Sequence, residues 1–208
     1  QQAQTTQAAP TEQPTPEPDP VQQLLEEMTL EQKVGQLFLV RPDSLDLSQT
    51  QDQINDAKAD GVTELTDAMR QTLAEYPVGG VVIFGKNLES PQQITQFLDD
   101  LQQASDTPLF TAIDEEGGLV ARLANNAAFD LPQYESAAAV GTSGNPEDAR
   151  AMGRTIGGYL KEYGFNLDFA PVADVNTNPD NPVIGTRAFS SEPQTAADLV
   201  GGACAGFA

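Results

Sequence analysis

The sequence predicts an α/β protein built around a parallel β-sheet. Short apolar segments alternate with amphipathic, helix-like segments four times along the chain. The apolar segments are nearly continuous in character, as expected for strands that are covered on both faces. Polar or glycine-rich residues follow each of them. A doubly wound sheet and a (β/α)8 barrel both fit these observations, and both place ligands at the C-terminal ends of the strands.

Four parallel strands are predicted from the apolar segments. Each stops at a polar, proline or glycine residue, and the predicted strands lie near 36–40, 78–84, 109–113 and 167–173. The fourth apolar pattern extends over 166–175. None of the strands is followed by G-x-G-x-x-G, so a dinucleotide site is not favoured.

The predicted helices are defined by capping residues and by apolar side chains that recur on one face. A first helical pattern begins at Val21, and a capping box opens a second, short helix. The start signals that follow in the chain are Thr29 with Gln32, Ser90 with Pro91 and Gln93, Asn145 with Pro146, and Ser191 with Gln194. The helix from Asn145 is predicted to run to about Tyr163, and another helix has Leu65, Met69 and Leu73 on one face.

Composition excludes several classes of function. The chain carries 31 acidic and 10 basic residues, and its net charge of -21 argues against nucleic acids and anionic membranes as partners. No apolar run approaches the ~20 residues that cross a membrane. With no histidine and a single cysteine, the chain cannot hold a Ser-His-Asp triad, a histidine-ligated zinc ion or an internal disulfide. We expect no metal and no cofactor.

Residues 1–20 differ in composition from the rest of the chain. They contain five prolines and no large apolar side chain, which predicts a disordered, Pro/Gln-rich linker in front of one domain at 21–208. Linkers of this kind commonly follow a removed signal or a lipid anchor. We therefore expect an extracellular or cell-envelope location, with an N-terminal anchor outside this sequence tethering the protein.

The segment "FTAIDEEGGLVARL" is the strongest candidate for a functional site. An apolar strand ends there in three consecutive carboxylates, Asp114, Glu115 and Glu116, followed by Gly117 and Gly118. A divalent metal site is one interpretation. Adjacent residues on a strand point to opposite faces, however, and so they rarely bind one ion together.

Five motifs in this order resemble glycoside hydrolase family 3, in particular its bacterial β-N-acetylglucosaminidase (β-N-acetylhexosaminidase) branch. The resemblance covers about residues 22–208. It runs through "MTLEQKVGQLFLV", "YPVGGVVIFGKN", "AIDEEGGLVARL", "NLDFAPVADVNTNPDNPVIGTRAFS" and the final helix. It implies a TIM-barrel type, (β/α)8 domain of which about the first four β/α units are present. It also implies hydrolysis of β-linked N-acetylglucosamine in cell-wall fragments or glycoconjugates.

The resemblance also implies roles for individual residues. Asp114, Arg122 and Arg187 would contact the carbohydrate substrate, with Asp114 accepting hydrogen bonds from sugar hydroxyls. Glu116 would anchor loop backbone. Asp174 lies at the end of the fourth apolar pattern and could substitute for a catalytic carboxylate, but we interpret it as structural support for the loop.

The chain departs from the family pattern in three respects. Glu115 stands where the branch usually has Gln, and Leu119 where it often has Arg. The family's Lys-His-Phe-Pro-Gly-His-Gly type segment, its histidine acid/base and its aspartate nucleophile are absent. The resemblance therefore assigns no catalytic residue to this chain, and we expect the catalytic pair beyond Ala208. The alternative is a non-catalytic sugar-binding or assembly fragment.

Overall fold

The computed structural model describes residues 19–208, and its centre is a parallel β-sheet. Four strands pair in chain order: β1 (Leu39–Val40), β2 (Gly80–Ile83), β3 (Phe110–Ile113) and β6 (Leu167–Asp168). The other two strands, β4 (Glu115–Gly117) and β5 (Val120–Ala121), form a separate hairpin. A doubly wound sheet reverses its strand order at a switch point, and no reversal occurs here. The sequential order is that of a (β/α)8 barrel, and the predicted fold class is confirmed.

Eight α-helices surround or connect the strands within residues 19–208. They are α1 (Pro20–Glu27), α2 (Leu30–Gly35), α3 (Gln51–Asn55), α4 (Asp67–Glu75), α5 (Pro91–Ala104), α6 (Ala137–Gly141), α7 (Pro146–Glu162) and α8 (Pro193–Phe207). Short 3-10 turns follow β1 at Pro42–Leu45 and β2 at Gly85–Asn87, and a third lies at Gly185–Arg187. In the part of the chain described here, no helix has the length and apolar character needed to span a membrane.

Three of the four predicted helix starts are confirmed in atomic detail. The side chains of Thr29, Ser90 and Asn145 each accept a hydrogen bond from a backbone N–H in the first turn of α2, α5 and α7. The predicted cap at Ser191 is wrong. Helix α8 begins two residues later because Pro193 occupies its first turn, where a proline needs no N–H partner. Glu192 takes the cap position without a side-chain bond.

All four predicted strands are shorter in the structure, and the fourth loses the most residues. Leu37 and Phe38, expected in a buried strand, are 79% and 56% exposed, and their N–H groups close a turn at the end of α2. The fourth strand stops at Asp168 rather than at 173. After Phe169 donates its N–H to Ile113, the chain reaches Pro171, which has no N–H to continue the ladder.

The first residues that the structure describes belong to a helix. The expected linker at 1–20 falls mainly on residues 1–18, which lie outside the described range. Helix α1 starts at Pro20, one residue before the expected boundary, and the side chain of Asp19 caps it by accepting from the N–H of Val21. None of its residues is buried.

Helices α7 and α8 pack against each other with almost no space between their backbones. Glycines lie on both sides of the contact. A Cβ added to Gly153 would collide with the carbonyl oxygen of Ala203, and one added to Gly206 would collide with that of Arg150. This close approach buries Met152, Ile156 and Leu199 in the core.

Candidate ligand-binding site

The candidate site lies at the C-terminal edge of the sheet, where β3 ends. Asp114 follows β3 directly, and a two-stranded antiparallel hairpin comes next, formed by β4 (Glu115–Gly117) and β5 (Val120–Ala121). Gly117 and Gly118 turn the chain with φ of 83° and 73°, a region that side chains disfavour. The hairpin brings Arg122 back beside Asp114.

Asp114 and Arg122 form an ion pair that remains open to solvent. The Nη2 of Arg122 donates to Oδ2 of Asp114 at 3.0 Å, and their side chains are 33% and 27% exposed, respectively. Oδ1 of Asp114 accepts no hydrogen bond from residues 19–208 and is free to take one from a ligand. The guanidinium group of Arg122 lies 5.7 Å from the ring centre of Phe84, and the guanidinium group of Arg41 lies 4.5 Å from the same ring centre.

Arg187 reaches the same edge through Glu116. Its Nε and Nη2 donate to the two carboxylate oxygens of Glu116 at 2.8 and 2.6 Å, and its Nη1 donates to the carbonyl of Val183 at 3.3 Å. The hydrogen bonds that Arg187 donates to Glu116 raise the pKa of Arg187, and the charge of Asp114 acts in the same direction. A guanidinium has five N–H donors. Glu116 and Val183 use three of them within residues 19–208, which leaves two for a ligand.

The backbone-anchoring role expected for Glu116 belongs to Glu115 in the structure. Glu116 was expected to anchor loop backbone, but it holds the side chain of Arg187. Glu115 is the backbone anchor: it is fully buried and accepts from the N–H groups of Leu123 and Ala124, both at 2.9 Å. The negative charge that departs from the family pattern therefore points away from solvent.

The three consecutive carboxylates do not converge on one point. Asp114 faces Arg122, Glu115 points into the core, and Glu116 faces Arg187. Across residues 19–208, no group of three histidine, cysteine, aspartate or glutamate side chains is arranged to hold a metal ion. The arrangement presents one carboxylate and two guanidinium groups, which suits a ligand with several hydroxyl groups.

Asp168, at the end of β6, is a partly buried carboxylate that sequence reasoning overlooked. Its Oδ1 accepts from the N–H of Glu115 at 2.9 Å, while its buried Oδ2 has no partner within the described part of the chain. Burial raises the pKa of Asp168 to about 7, and the charges of Glu115, Asp114 and Glu116 add to this effect. Asp174, expected to support the loop, is exposed and forms none of the hydrogen bonds seen within 19–208.

The raised pKa of Asp168 predicts a pH-dependent stability. In the folded chain Asp168 holds its proton up to about pH 7, whereas an unfolded aspartate loses it near pH 4. Its contribution to stability is therefore complete below about pH 4 and is lost as the pH rises through 7. In the wild type we expect the free energy of unfolding to fall by an amount on the order of 2 kcal/mol between pH 5 and 8, and we expect this fall to be absent in Asp168→Asn.

Urea unfolding of wild type and Asp168→Asn at several pH values measures this decline. Asp99→Asn, a change of an exposed aspartate on α5, is the control and should leave the wild-type pH profile intact. An Asp168→Asn profile parallel to that of the wild type would contradict the assignment.

A buried cluster of polar side chains supports the ends of β1 and β2, on the other side of the site. Asp43, which follows β1, and Lys86, which follows β2, are joined at 3.1 Å with side-chain exposures of 0% and 6%. Asn87 donates to the same carboxylate at 3.0 Å, and Lys86 donates to the carbonyls of Gln53 and Ile54. These bonds hold the loop from 41 to 62 against the ends of β1 and β2.

The chain superposes on solved structures of glycoside hydrolases. The chain superposes on a glycoside hydrolase family 3 β-N-acetylglucosaminidase from Paenibacillus sp. str. FPU-7 with a TM-score of 0.72 and 34% identity, covering 86% of this chain and 31% of the other. It superposes on a β-N-acetylhexosaminidase from Beutenbergia cavernae with a TM-score of 0.68 and 26% identity, covering 87% of this chain and 51% of the other.

Sequence comparison leads to the same family. Beta-hexosaminidase A of Pseudoalteromonas piscicida is 36% identical over 143 residues, which are 66% of this chain and 24% of that protein. A beta-hexosaminidase of Nitrosomonas eutropha is 35% identical over 141 residues, or 66% of this chain and 40% of that protein. The chain thus spans less than half the length of these relatives. The sequence model of the glycosyl hydrolase family 3 N terminal domain matches residues 29–207, and the chain belongs to this family.

Proposed function

We propose that this chain is the sugar-binding part of a retaining glycosidase. The enzyme would release terminal β-linked N-acetylglucosamine, or N-acetylhexosamine, from cell-wall fragments or glycoconjugates. The observation that carries the proposal is the Asp114–Arg122 pair, which is held at the C-terminal edge of the sheet and remains partly exposed. The names of the relatives support the same substrate class.

The proposed binding mode uses the hydrogen-bonding groups that the chain leaves unoccupied. Oδ1 of Asp114 accepts from a sugar hydroxyl, while Arg122 keeps the carboxylate in place through Oδ2. Arg187, held by Glu116, donates its remaining N–H groups to oxygens of the sugar. Hydrogen bonds that involve a charged partner are the stronger kind, and they suit a neutral, hydroxyl-rich ligand.

We assign no catalytic residue to the chain. A retaining glycosidase needs an acid/base and a nucleophile on either side of the scissile bond. Asp114 and Glu116 are engaged with arginines, and Asp168 is bonded to the backbone of Glu115. The proposal therefore places the catalytic pair outside residues 1–208.

Hydrolysis of an aryl β-N-acetylglucosaminide tests this proposal. We expect the longer protein that contains this chain to release the aryl group with retention of configuration, and the 208-residue chain alone to release none. Release of the aryl alcohol measures the rate, and NMR of the first sugar product identifies its anomer. An aryl β-glucoside, which lacks the acetamido group, is the matched control substrate and should react more slowly.

Two outcomes would overturn parts of the proposal. Turnover by the isolated 208-residue chain would show that the catalytic pair lies within it. Binding of N-acetylglucosamine by the longer protein without hydrolysis would favour the alternative, a non-catalytic sugar-binding or assembly protein.

We further propose that the protein is bacterial and acts outside the cytoplasm, in the cell envelope or the extracellular space. The composition of residues 1–20 supports this location, since proline-rich polar linkers commonly separate an exported domain from its anchor. The proposed substrates, cell-wall fragments and glycoconjugates, occur in the same place.

A further inference from the structure

We propose that Glu115 and Tyr159 are positioning residues that keep the side chain of Arg122 beside Asp114. This proposal rests on the function proposed above and names two residues outside the predicted binding set. Neither is expected to touch the sugar, because Glu115 is fully buried and Tyr159 is 7% exposed. Both act through the backbone that carries Arg122.

The carboxylate of Glu115 is bonded by three donors within the described chain. Its Oε2 accepts from the N–H of Leu123 at 2.9 Å, and its Oε1 accepts from the N–H of Ala124 at 2.9 Å and from the hydroxyl of Tyr159 at 2.8 Å. Burial and the neighbouring charge of Glu115 raise the pKa of Tyr159 above its usual range. The hydroxyl of Tyr159 therefore keeps its proton and remains a donor.

Glu115 contacts the residues that precede and follow Arg122 in the sequence. On the side of β5, Glu115 pairs with Ala121 in the hairpin. On the other side, its carboxylate fixes Leu123 and Ala124. Arg122 lies between these contacts, so its backbone has little freedom to move relative to Glu115.

The same residue also sets the position of Asp114. Glu115 follows Asp114 directly, and its N–H donates to Oδ1 of Asp168 at the end of β6. Asp114 is thus bound to the sheet through its neighbour, and that neighbour's side chain holds the backbone of Leu123 and Ala124, which follow Arg122. The geometry of the ion pair depends on one buried residue.

In this chain a carboxylate suits the anchor better than the glutamine that the family branch usually has here, because two backbone N–H groups converge on the side chain of residue 115. Both oxygens of Glu115 accept from a backbone N–H, whereas a glutamine offers one oxygen and one NH2 group. In Glu115→Gln the NH2 group would face one of the two N–H donors, leaving that donor buried without an acceptor. The segment carrying Arg122 should then move away from Asp114.

A double-mutant cycle in the longer protein distinguishes positioning from general structural support. We expect Glu115→Gln to lower kcat/KM for the aryl β-N-acetylglucosaminide about tenfold or more, because small displacements of a binding group are costly. Tyr159→Phe should cause a smaller loss. In the Arg122→Ala background, Glu115→Gln should change kcat/KM by less than about twofold. Tyr163→Phe is the control: it removes a hydroxyl just after α7 that bonds to none of residues 19–208.

Hydrogen exchange of the Leu123 and Ala124 amides gives a readout that does not require activity. We expect slow exchange in the wild type and faster exchange at one or both amides in Glu115→Gln. Equal protection in the two proteins would overturn the anchor. Losses of kcat/KM that add in full in the Arg122→Ala background would overturn the positioning role.

The outcomes separate this inference from the proposed function. If the wild type binds N-acetylglucosamine without hydrolysing the aryl substrate, the glycosidase proposal fails, and the same cycle, measured on the dissociation constant, decides the role of Glu115. If the wild type neither binds nor hydrolyses, the proposed function is wrong, and hydrogen exchange in the wild type and Glu115→Gln decides whether Glu115 anchors the backbone beside Arg122.

Discussion

Replacement of Asp114 by alanine is expected to lower kcat/KM for an aryl β-N-acetylglucosaminide by roughly 30-fold to 1000-fold in the longer protein. A charged hydrogen bond to a substrate hydroxyl in a site that excludes water contributes about 2–4 kcal/mol to transition-state stabilisation. The substitution also leaves Arg122 without its carboxylate partner at 3.0 Å. Both losses act on the same sugar-binding edge.

Two further variants show whether the effect belongs to the carboxylate. Asp114→Asn keeps the shape and one acceptor oxygen but loses the charge, and it should fall between wild type and Asp114→Ala. Asp99→Ala, at an exposed position on α5, should retain wild-type kcat/KM. If Asp114→Ala and wild type agree within twofold, Asp114 is not the sugar-binding carboxylate.

Two glycines on the same helix are expected to respond in opposite directions to the same substitution. Gly153→Ala should destabilise the 208-residue chain by about 3 kcal/mol, because the new Cβ meets the carbonyl oxygen of Ala203 and the two helices must separate. Gly158, also on α7, has no neighbour within 4 Å of an added Cβ. Gly158→Ala should stabilise by about 0.5–1 kcal/mol through helix propensity.

Urea unfolding monitored by circular dichroism measures both changes, and Gly158→Ala serves as the matched control. Because obstruction at Gly153 comes from backbone, no rotamer change of a side chain can relieve it. Equal free energies of unfolding for Gly153→Ala and the wild type would show that α7 and α8 are less tightly packed than the structure indicates.

The strands and most helix starts were predictable because their signals are local. Apolar runs located β2 and β3, and capping side chains at Thr29, Ser90 and Asn145 located three helices. The hairpin β4–β5 was missed, since two glutamates and two glycines carry no strand pattern. Its two strands pair with each other, and Glu115 is also held by Tyr159 and Asp168, which are distant in sequence.

The roles of the buried carboxylates could not be read from the chain for a related reason. Strand alternation predicts that Glu115 and Glu116 point to opposite faces, but it does not tell which face is inside. The answer depends on Tyr159, a donor on α7, and on Arg187, which lies beyond the last strand. Likewise, Asp168 is partly buried and Asp174 exposed because the strand ladder stops at β6, and the apolar pattern over 166–175 did not show where the ladder ends.

The sequential strand order has a consequence for how the chain folds. Each strand pairs with the one preceding it in the sheet, so the sheet can grow as the polypeptide leaves the ribosome, without waiting for a distant strand to insert. The Asp114–Arg122 pair joins residues close in sequence and can form once β3 and the hairpin have emerged. Tyr159 is added next, when α7 is complete, and Arg187 is added after β6. The binding groups are thus assembled in the order of synthesis.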